Sequence, residues 1–223
     1  MAEEQLLEYL ENFISEERKQ RFLEILEERT RLVTVAIEDL YQMHNTSAVI
    51  RSCEVFGIQD AHVIESRFGK KLDSEIAMGA QKWVDVHRYK STRNCIEKLR
   101  KDGYKIIATT PHNNSTFLED FKIEGKTALL FGTEKNGLSQ EAIDMSDGFL
   151  KIPMLGFTES LNISVSAAII LQHLAVKMRA TNLEWRLTEE EKLEKRLDWT
   201  KKSVRSIDDI LKRYEAEINN GNI

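Results

Sequence analysis

The 223-residue sequence predicts an α/β fold, a mostly parallel sheet flanked by helices, with helical extensions at both ends. Two observations point there. Between residues 32 and 181, short β-branched or apolar runs alternate with stretches of helical periodicity, and strands separated by helices imply parallel pairing. Outside that stretch the apolar residues recur only at helix spacing.

Taken in order, Leu6, Leu7, Leu10, Phe13 and Ile14 predict a first helix, and Phe22, Leu23, Ile25 and Leu26 a second one after Ser15. At Leu32 the texture changes to a β-branched run through Ile37, as expected of a buried strand. Asn45, Thr46 and Ser47 suit the cap of a helix that runs to Phe56 and stops at Gly57. Strands follow at Ala61–Ile64 and Trp83–Val86, then a helix from Ser91 to Gly103. Further strands are expected at Tyr104–Thr109, Thr127–Phe131 and Phe149–Ile152, the last two separated by a short helix capped by Ser139. After Asn162, the positions Ile163, Val165, Ala168, Ile169, Leu171, Leu174 and Met178 make a long helix with a broad apolar face. Thr188 to Glu191 matches a capping box, and the charged tail to Ile218 reads as helical with an apolar stripe from Leu193 to Leu211. The division is therefore 1–31, 32–181 and 182–223.

Composition narrows the function classes. Hydrophobic residues at 41% and charged residues at 31% describe a globular chain rather than a disordered one. The acidic start lacks the order of a secretory signal, and the most apolar stretch, Val165–Val176, is too short to cross a bilayer. Cys53 and Cys95 offer neither a disulfide framework nor metal-ligand spacing, so no metal is expected and a cytoplasmic location is. The net charge of −5 argues mildly against a nucleic-acid partner, yet basic residues cluster at Arg18–Arg31 and Lys192–Lys202. Both clusters are interleaved with glutamates, which fits a solvated helix face equally well.

Ligands of such sheets bind beyond the carboxyl ends of the strands. Three loops there carry the candidate chemistry. In His44–Cys53, Asn45 turns the chain and Arg51 lies within the following helix, a pattern that an N-cap and an exposed arginine would also produce. In Phe131–Ser139, Gly132 and Gly137 flank Glu134; they suit close backbone approach to a ligand, or a turn leading into a capped helix. In Ile152–Gly156 and Ser160–Ala168, small residues entering a helix permit a ligand cradled by backbone, or close helix packing.

Together, in order and spacing, these segments resemble the three signature motifs of the SPOUT class of RNA methyltransferases. The resemblance spans about residues 16 to 180, takes in Gly79–Val84 and the loop after Thr109, and is nearest to the TrmH-type branch of the SpoU/TrmH family. It implies a C-terminal deep trefoil knot, S-adenosyl-L-methionine (SAM) bound in the knot loops, a homodimer, and 2′-O-methylation of a tRNA ribose, that of guanosine 18 in the D-loop. The rivals are 2′-O-methylation of rRNA or of another tRNA nucleotide, and a knotted RNA-binding protein without catalysis. The short basic front favours tRNA.

By motif match the resemblance implies that SAM lies against backbone at Thr109, Gly132, Ile152 and Leu161, with Met154 and Leu161 as apolar walls. It assigns Arg51, Asn162, Asn45, Glu134 and Ser160 to catalysis or active-site architecture, with Arg51 of one subunit facing the SAM of the other. Arg18, Arg21 and Arg29 align with basic residues that the tRNA branch carries on its front helix, which implies contact with tRNA phosphate. Making an ordinary arginine neutral near pH 7 costs roughly 7 kcal/mol. Arg51 is therefore read as a permanent charge that anchors a phosphate and stabilises the forming alkoxide, with a phosphate oxygen or water taking the proton.

Overall fold

The structure, a computed structural model, describes residues 2–38, 43–65, 79–111, 115–133 and 136–219. Its elements run α1 (Ala2–Glu11), α2 (Glu16–Leu26), β1 (Val33–Glu38), α3 (Met43–Val55), β2 (Asp60–Ile64), β3 (Asp85–Tyr89), α4 (Thr92–Lys101) and β4 (Lys105–Thr109). There follow β5 (Thr116–Phe117), β6 (Thr127–Phe131), α5 (Gln140–Asp144), β7 (Gly148–Lys151), α6 (Ile163–Arg179), α7 (Glu189–Ser203) and α8 (Ile207–Asn219). They divide into two compact units, Thr30–Trp185 and the two chain ends up to Arg29 and from Arg186. The three consecutive segments read from the sequence are thus two units, because the front and back helices pack with each other.

In the larger unit the strands form one parallel sheet in the order β3-β2-β1-β6-β4-β7-β5. Every residue of β1, β2 and β6 is buried, which is why these strands read as nearly continuous apolar runs. The period of two sends Val35, Ile37, Leu129 and Phe131 to one face, where they meet Val49, Ile50 and Cys53 of α3 and Ala167 and Leu171 of α6. It sends Ala36, Ala128 and Leu130 to the other, against Cys95, Ile96 and Leu99 of α4 and Ala142 of α5.

Several expected boundaries move. The strand expected at Trp83 starts at Asp85, because Trp83 and Val84 close a 3₁₀ turn by donating to the Ala80 carbonyl. The α3 helix already includes Met43, so Asn45 lies inside its first turn. Strand β5 has only two exposed residues, too few for a periodicity to register. On α6, Ile163, Leu171, Leu174 and Met178 are buried as expected, whereas Val165 and Ile169 are exposed.

The smaller unit is built from α1, α2, α7 and α8. Ser15 caps α2, and Thr188 and Glu191 form the reciprocal capping box of α7. The tail is two helices rather than one. Val204 is extended and Ser206 has a φ of 53°, a turn that brings Ile207, Ile210 and Leu211 back onto Leu7, Leu10, Leu193 and Leu197. Arg18 and Arg21 are exposed on α2. Arg29 is not available to a phosphate: it is 1% exposed, with its guanidinium 5.3 Å from the centre of the buried Trp199 ring. That placement corrects its expected role in RNA contact.

Candidate active site

The carboxyl ends of the adjacent strands β6, β4 and β7 open into a cleft of about 590 Å³. Thr109, Gly132, Ile152, Met154, Ser160 and Leu161 all line it, so the five residues expected to bind a cofactor and one of the expected catalytic residues converge there. The first turns of α6 close it with Ile163, Ser166 and Ile170.

Two of its lining residues are fixed by contacts within the chain itself. The Thr109 hydroxyl donates to the Leu130 carbonyl at 2.7 Å, across to the neighbouring strand, so its proton is not left to a ligand. Gly132 stands against the Gly137–Leu138 peptide so closely that a Cβ there would sit 2.2 Å from the Gly137 carbonyl carbon and the Leu138 nitrogen. Thr133 and Gly137 exchange two backbone hydrogen bonds of 2.9 Å, and Gly137 takes a φ of 66°. The two glycines therefore serve a tight turn of the chain on itself, and that turn forms one wall of the cleft.

Asn162 caps α6: its Oδ1 accepts from the Ser164 amide at 2.8 Å and from the Ser164 hydroxyl at 2.6 Å. Its Nδ2 donates to Oδ1 of the buried Asn45 at 3.3 Å, tying the start of α6 to the first turn of α3. Two expected site residues are thus joined directly. Arg51 lies farther along α3, is exposed, and is not among the residues lining this cleft. Glu134 falls outside the described residues.

Sequence reasoning missed Glu38, the last residue of β1. It is 5% exposed, and its carboxylate accepts from the amide and hydroxyl of Ser139 at 2.7 and 2.6 Å and from the Thr92 hydroxyl. The available signal was an acid closing an otherwise buried strand.

A second polar cluster lies at the opposite ends of the strands. Asp60 and Asp85, which begin β2 and β3, hold Arg31 at 2.9 and 3.3 Å, and Asp60 also meets His87 at 2.8 Å. Burial pushes the Asp60 carboxyl up, but the His87 hydrogen bond and the Arg31 charge outweigh it and hold the group below its ordinary value. The hydrogen bond to Asp60 raises His87. His62 stacks on His87 with ring centres 4.8 Å apart; burial, then the charge of His87, lowers it to about 4. Among the described residues no group of three or more acidic, histidine or cysteine side chains is arranged to hold a metal.

Residues 32–172 match the SpoU rRNA Methylase family. The chain is 39% identical over 197 residues to the tRNA (guanosine(18)-2′-O)-methyltransferase of Borreliella burgdorferi, covering 88% of this chain and 90% of that one. Its fold matches the crystal structure of the TrmH/SpoU tRNA modifying enzyme of Aquifex aeolicus with a TM-score of 0.76 at 28% identity, over 85% of this chain and 98% of that one. It also matches the SpoU methyltransferase AviRb of Streptomyces viridochromogenes, solved with the cofactor AdoMet, with a TM-score of 0.61 at 23% identity, over 72% and 63% of the two chains.

Proposed function

From the premise that the chain belongs to the SpoU rRNA methylase family, we propose that it transfers a methyl group from SAM to the ribose 2′-oxygen of guanosine 18 in tRNA. The observation that carries this is the match, over nine-tenths of its length, to a relative of that named activity, in a chain whose expected cofactor residues converge on one cleft.

The cleft fits the methyl donor. Its volume falls within the roughly 300–1,000 Å³ of small-molecule sites. Main-chain groups at Thr109, Gly132, Ile152 and Leu161 suit the polar edge of an adenine, and Met154 and Leu161 its flat apolar faces. When bound, SAM supplies an electrophilic methyl group on a sulfonium centre. The chain's own residues must deliver the 2′-hydroxyl and stabilise the charge that forms on it. Asn162 has its oxygen committed to capping α6 and its amide to Asn45, so it holds the cleft entrance in shape rather than moving a proton. Arg51, kept charged, anchors a tRNA phosphate and stabilises the alkoxide, and a phosphate oxygen or water takes the proton. Ser160, at the cleft, orients the ribose.

This reading includes a homodimer with a composite site. Arg51 does not line the cleft of its own chain, and Val55, four residues on along α3, is 63% exposed. Val165, Ile169 and Val176 form a further exposed apolar stripe on α6, which packs against α3. Exposed apolar side chains on α3 and α6, with a needed charge on α3, support burial against a second copy. It also includes the trefoil knot: β7 enters the sheet between β4 and β5, both laid down earlier in the chain, as a knotted threading requires. Arg18 and Arg21 contact tRNA phosphate. The enzyme works in the cytoplasm, where tRNA is; among the described residues no helix is long and apolar enough to cross a membrane.

Transfer from labelled SAM to unmodified tRNA, followed by nucleotide mapping, tests the proposal. A single 2′-O-methylguanosine at position 18 is expected. A mark elsewhere in tRNA, or in rRNA alone, overturns the substrate, and bound SAM without transfer to any RNA overturns the activity.

A further inference from the structure

We infer that Glu38 is a positioning residue for the methyl-donor site, acting through Ser139 on the segment that walls the cleft. The inference rests on the function proposed above. Glu38 does not itself line the cleft. It ends β1 buried, where a carboxyl group is tolerated only if its oxygens are satisfied. Three donors satisfy it: the Ser139 amide, the Ser139 hydroxyl and the Thr92 hydroxyl. The same Ser139 hydroxyl accepts from the Ala142 amide at 3.1 Å, so one serine is bonded at both ends.

Ser139 is the pivot of the wall. Asn136, Gly137 and Leu138 just before it line the cleft, as do Gln140 and Ile143 just after it. Gly132 packs on the Gly137–Leu138 peptide without room for a methyl group, so a shift at Ser139 is passed to the turn rather than absorbed. Thr92 begins α4 and Ser139 caps α5, so the carboxylate references the cleft wall to two helices and to the end of a central strand. Releasing it loosens the site for SAM while leaving the tRNA surface and the reacting groups in place.

The test compares Glu38→Gln, Ser139→Ala and Ser139→Thr in the full chain, by SAM Kd, by kcat and KM for both substrates, and by Tm. An amide at position 38 turns one acceptor toward a donor. We expect Kd for SAM to rise about tenfold, the effect of losing a hydrogen bond to a charged group. The KM for tRNA and the kcat at saturating SAM stay within about twofold of wild type. Ser139→Ala keeps the amide donor and raises Kd less, about threefold, whereas Ser139→Thr keeps both donors and restores it. The Glu38→Gln, Ser139→Ala double variant is no weaker than Glu38→Gln alone. A folded Glu38→Gln chain with wild-type SAM affinity overturns the inference. So does a parallel loss in both KM values, kcat and Tm that Ser139→Thr fails to avoid, which would mark plain packing. Should Glu38→Gln not fold, equal SAM affinity in the two Ser139 variants overturns it. A wild-type chain that binds no SAM overturns the functional reading along with the inference; wild-type binding with unchanged variants overturns the inference alone.

Discussion

The two ends of the sheet are built on opposite principles. At the carboxyl ends of β4, β6 and β7 the cleft is lined by glycines, apolar side chains and polar side chains in mixture, and the Thr109 hydroxyl there donates to the neighbouring strand. At the other ends of β2 and β3, Asp60, Asp85, Arg31, His62 and His87 form a dense titratable cluster in which Asp60, His62 and His87 have shifted proton affinities. A search led by perturbed acids and bases would choose the second region. The first has the expected cofactor residues, because methyl transfer from a sulfonium asks for shape and a fixed charge more than for a tuned acid. Shifted groups at the far corner are better read as structural.

The contrast can be broken from either side. The largest effect is expected from Gly132→Ala, whose methyl group would overlap the Gly137–Leu138 peptide. It should cut kcat/KM for SAM by about a hundredfold or more, roughly 3 kcal/mol. Initial rates at varied SAM check this, and near-normal SAM affinity by isothermal titration would show that the turn is not part of the site.

His62 addresses the far corner. Its folded value of about 4 lies below the ordinary histidine value, so it is held neutral, and the unfolded chain takes up the proton first. Its contribution to stability is present above about pH 6.5 and is lost as pH falls towards 4, by roughly 3 kcal/mol. His87 is raised and runs the other way, contributing below about pH 6.5 and losing that contribution as pH climbs through its folded value. His62→Gln should therefore flatten the acid limb of a Tm-against-pH curve between 6.5 and 4 and leave methyl transfer at pH 8 unchanged. A drop in transfer at pH 8 with Tm intact would assign this corner a part in catalysis.

Asn162 separates shape from stability. Asn162→Ala removes a helix cap and should cost about 1 kcal/mol. Asn162→Asp keeps the oxygen that caps α6 but loses the donor to Asn45. It should unfold close to wild type in urea while losing about tenfold in kcat. Equal activity would deny the Asn45 tether a role.

Much of this site was legible in the chain because its parts are local. Gly132 and Ile152 follow directly on strands that apolar runs announce, and Asn162 stands where a cap belongs, whereas the cofactor role of Gly132, Ile152, Met154 and Leu161 was implied by the family resemblance alone. What was not legible depends on distant partners. An arginine just past an amphipathic helix reads as exposed until Trp199, far along the chain, closes over it, as happens to Arg29. Glu38 reads as a solvated strand end until Ser139 and Thr92 supply its donors. The break at Ser206 carries no glycine or proline to mark it.

The smallest effect belongs to the smaller unit. Arg21→Ala should raise the KM for tRNA about threefold and reduce the salt slope of tRNA binding by about 1. Arg29→Lys should lower Tm without changing that slope.

The most direct test is nucleotide mapping of tRNA after transfer from labelled SAM by wild-type, His62→Gln and Gly132→Ala chains. One 2′-O-methylguanosine at position 18 is expected from the first two, and a mark formed about a hundredfold or more slowly from the third. A mark formed at the wild-type rate by Gly132→Ala, or its loss with His62→Gln at pH 8, would contradict the account.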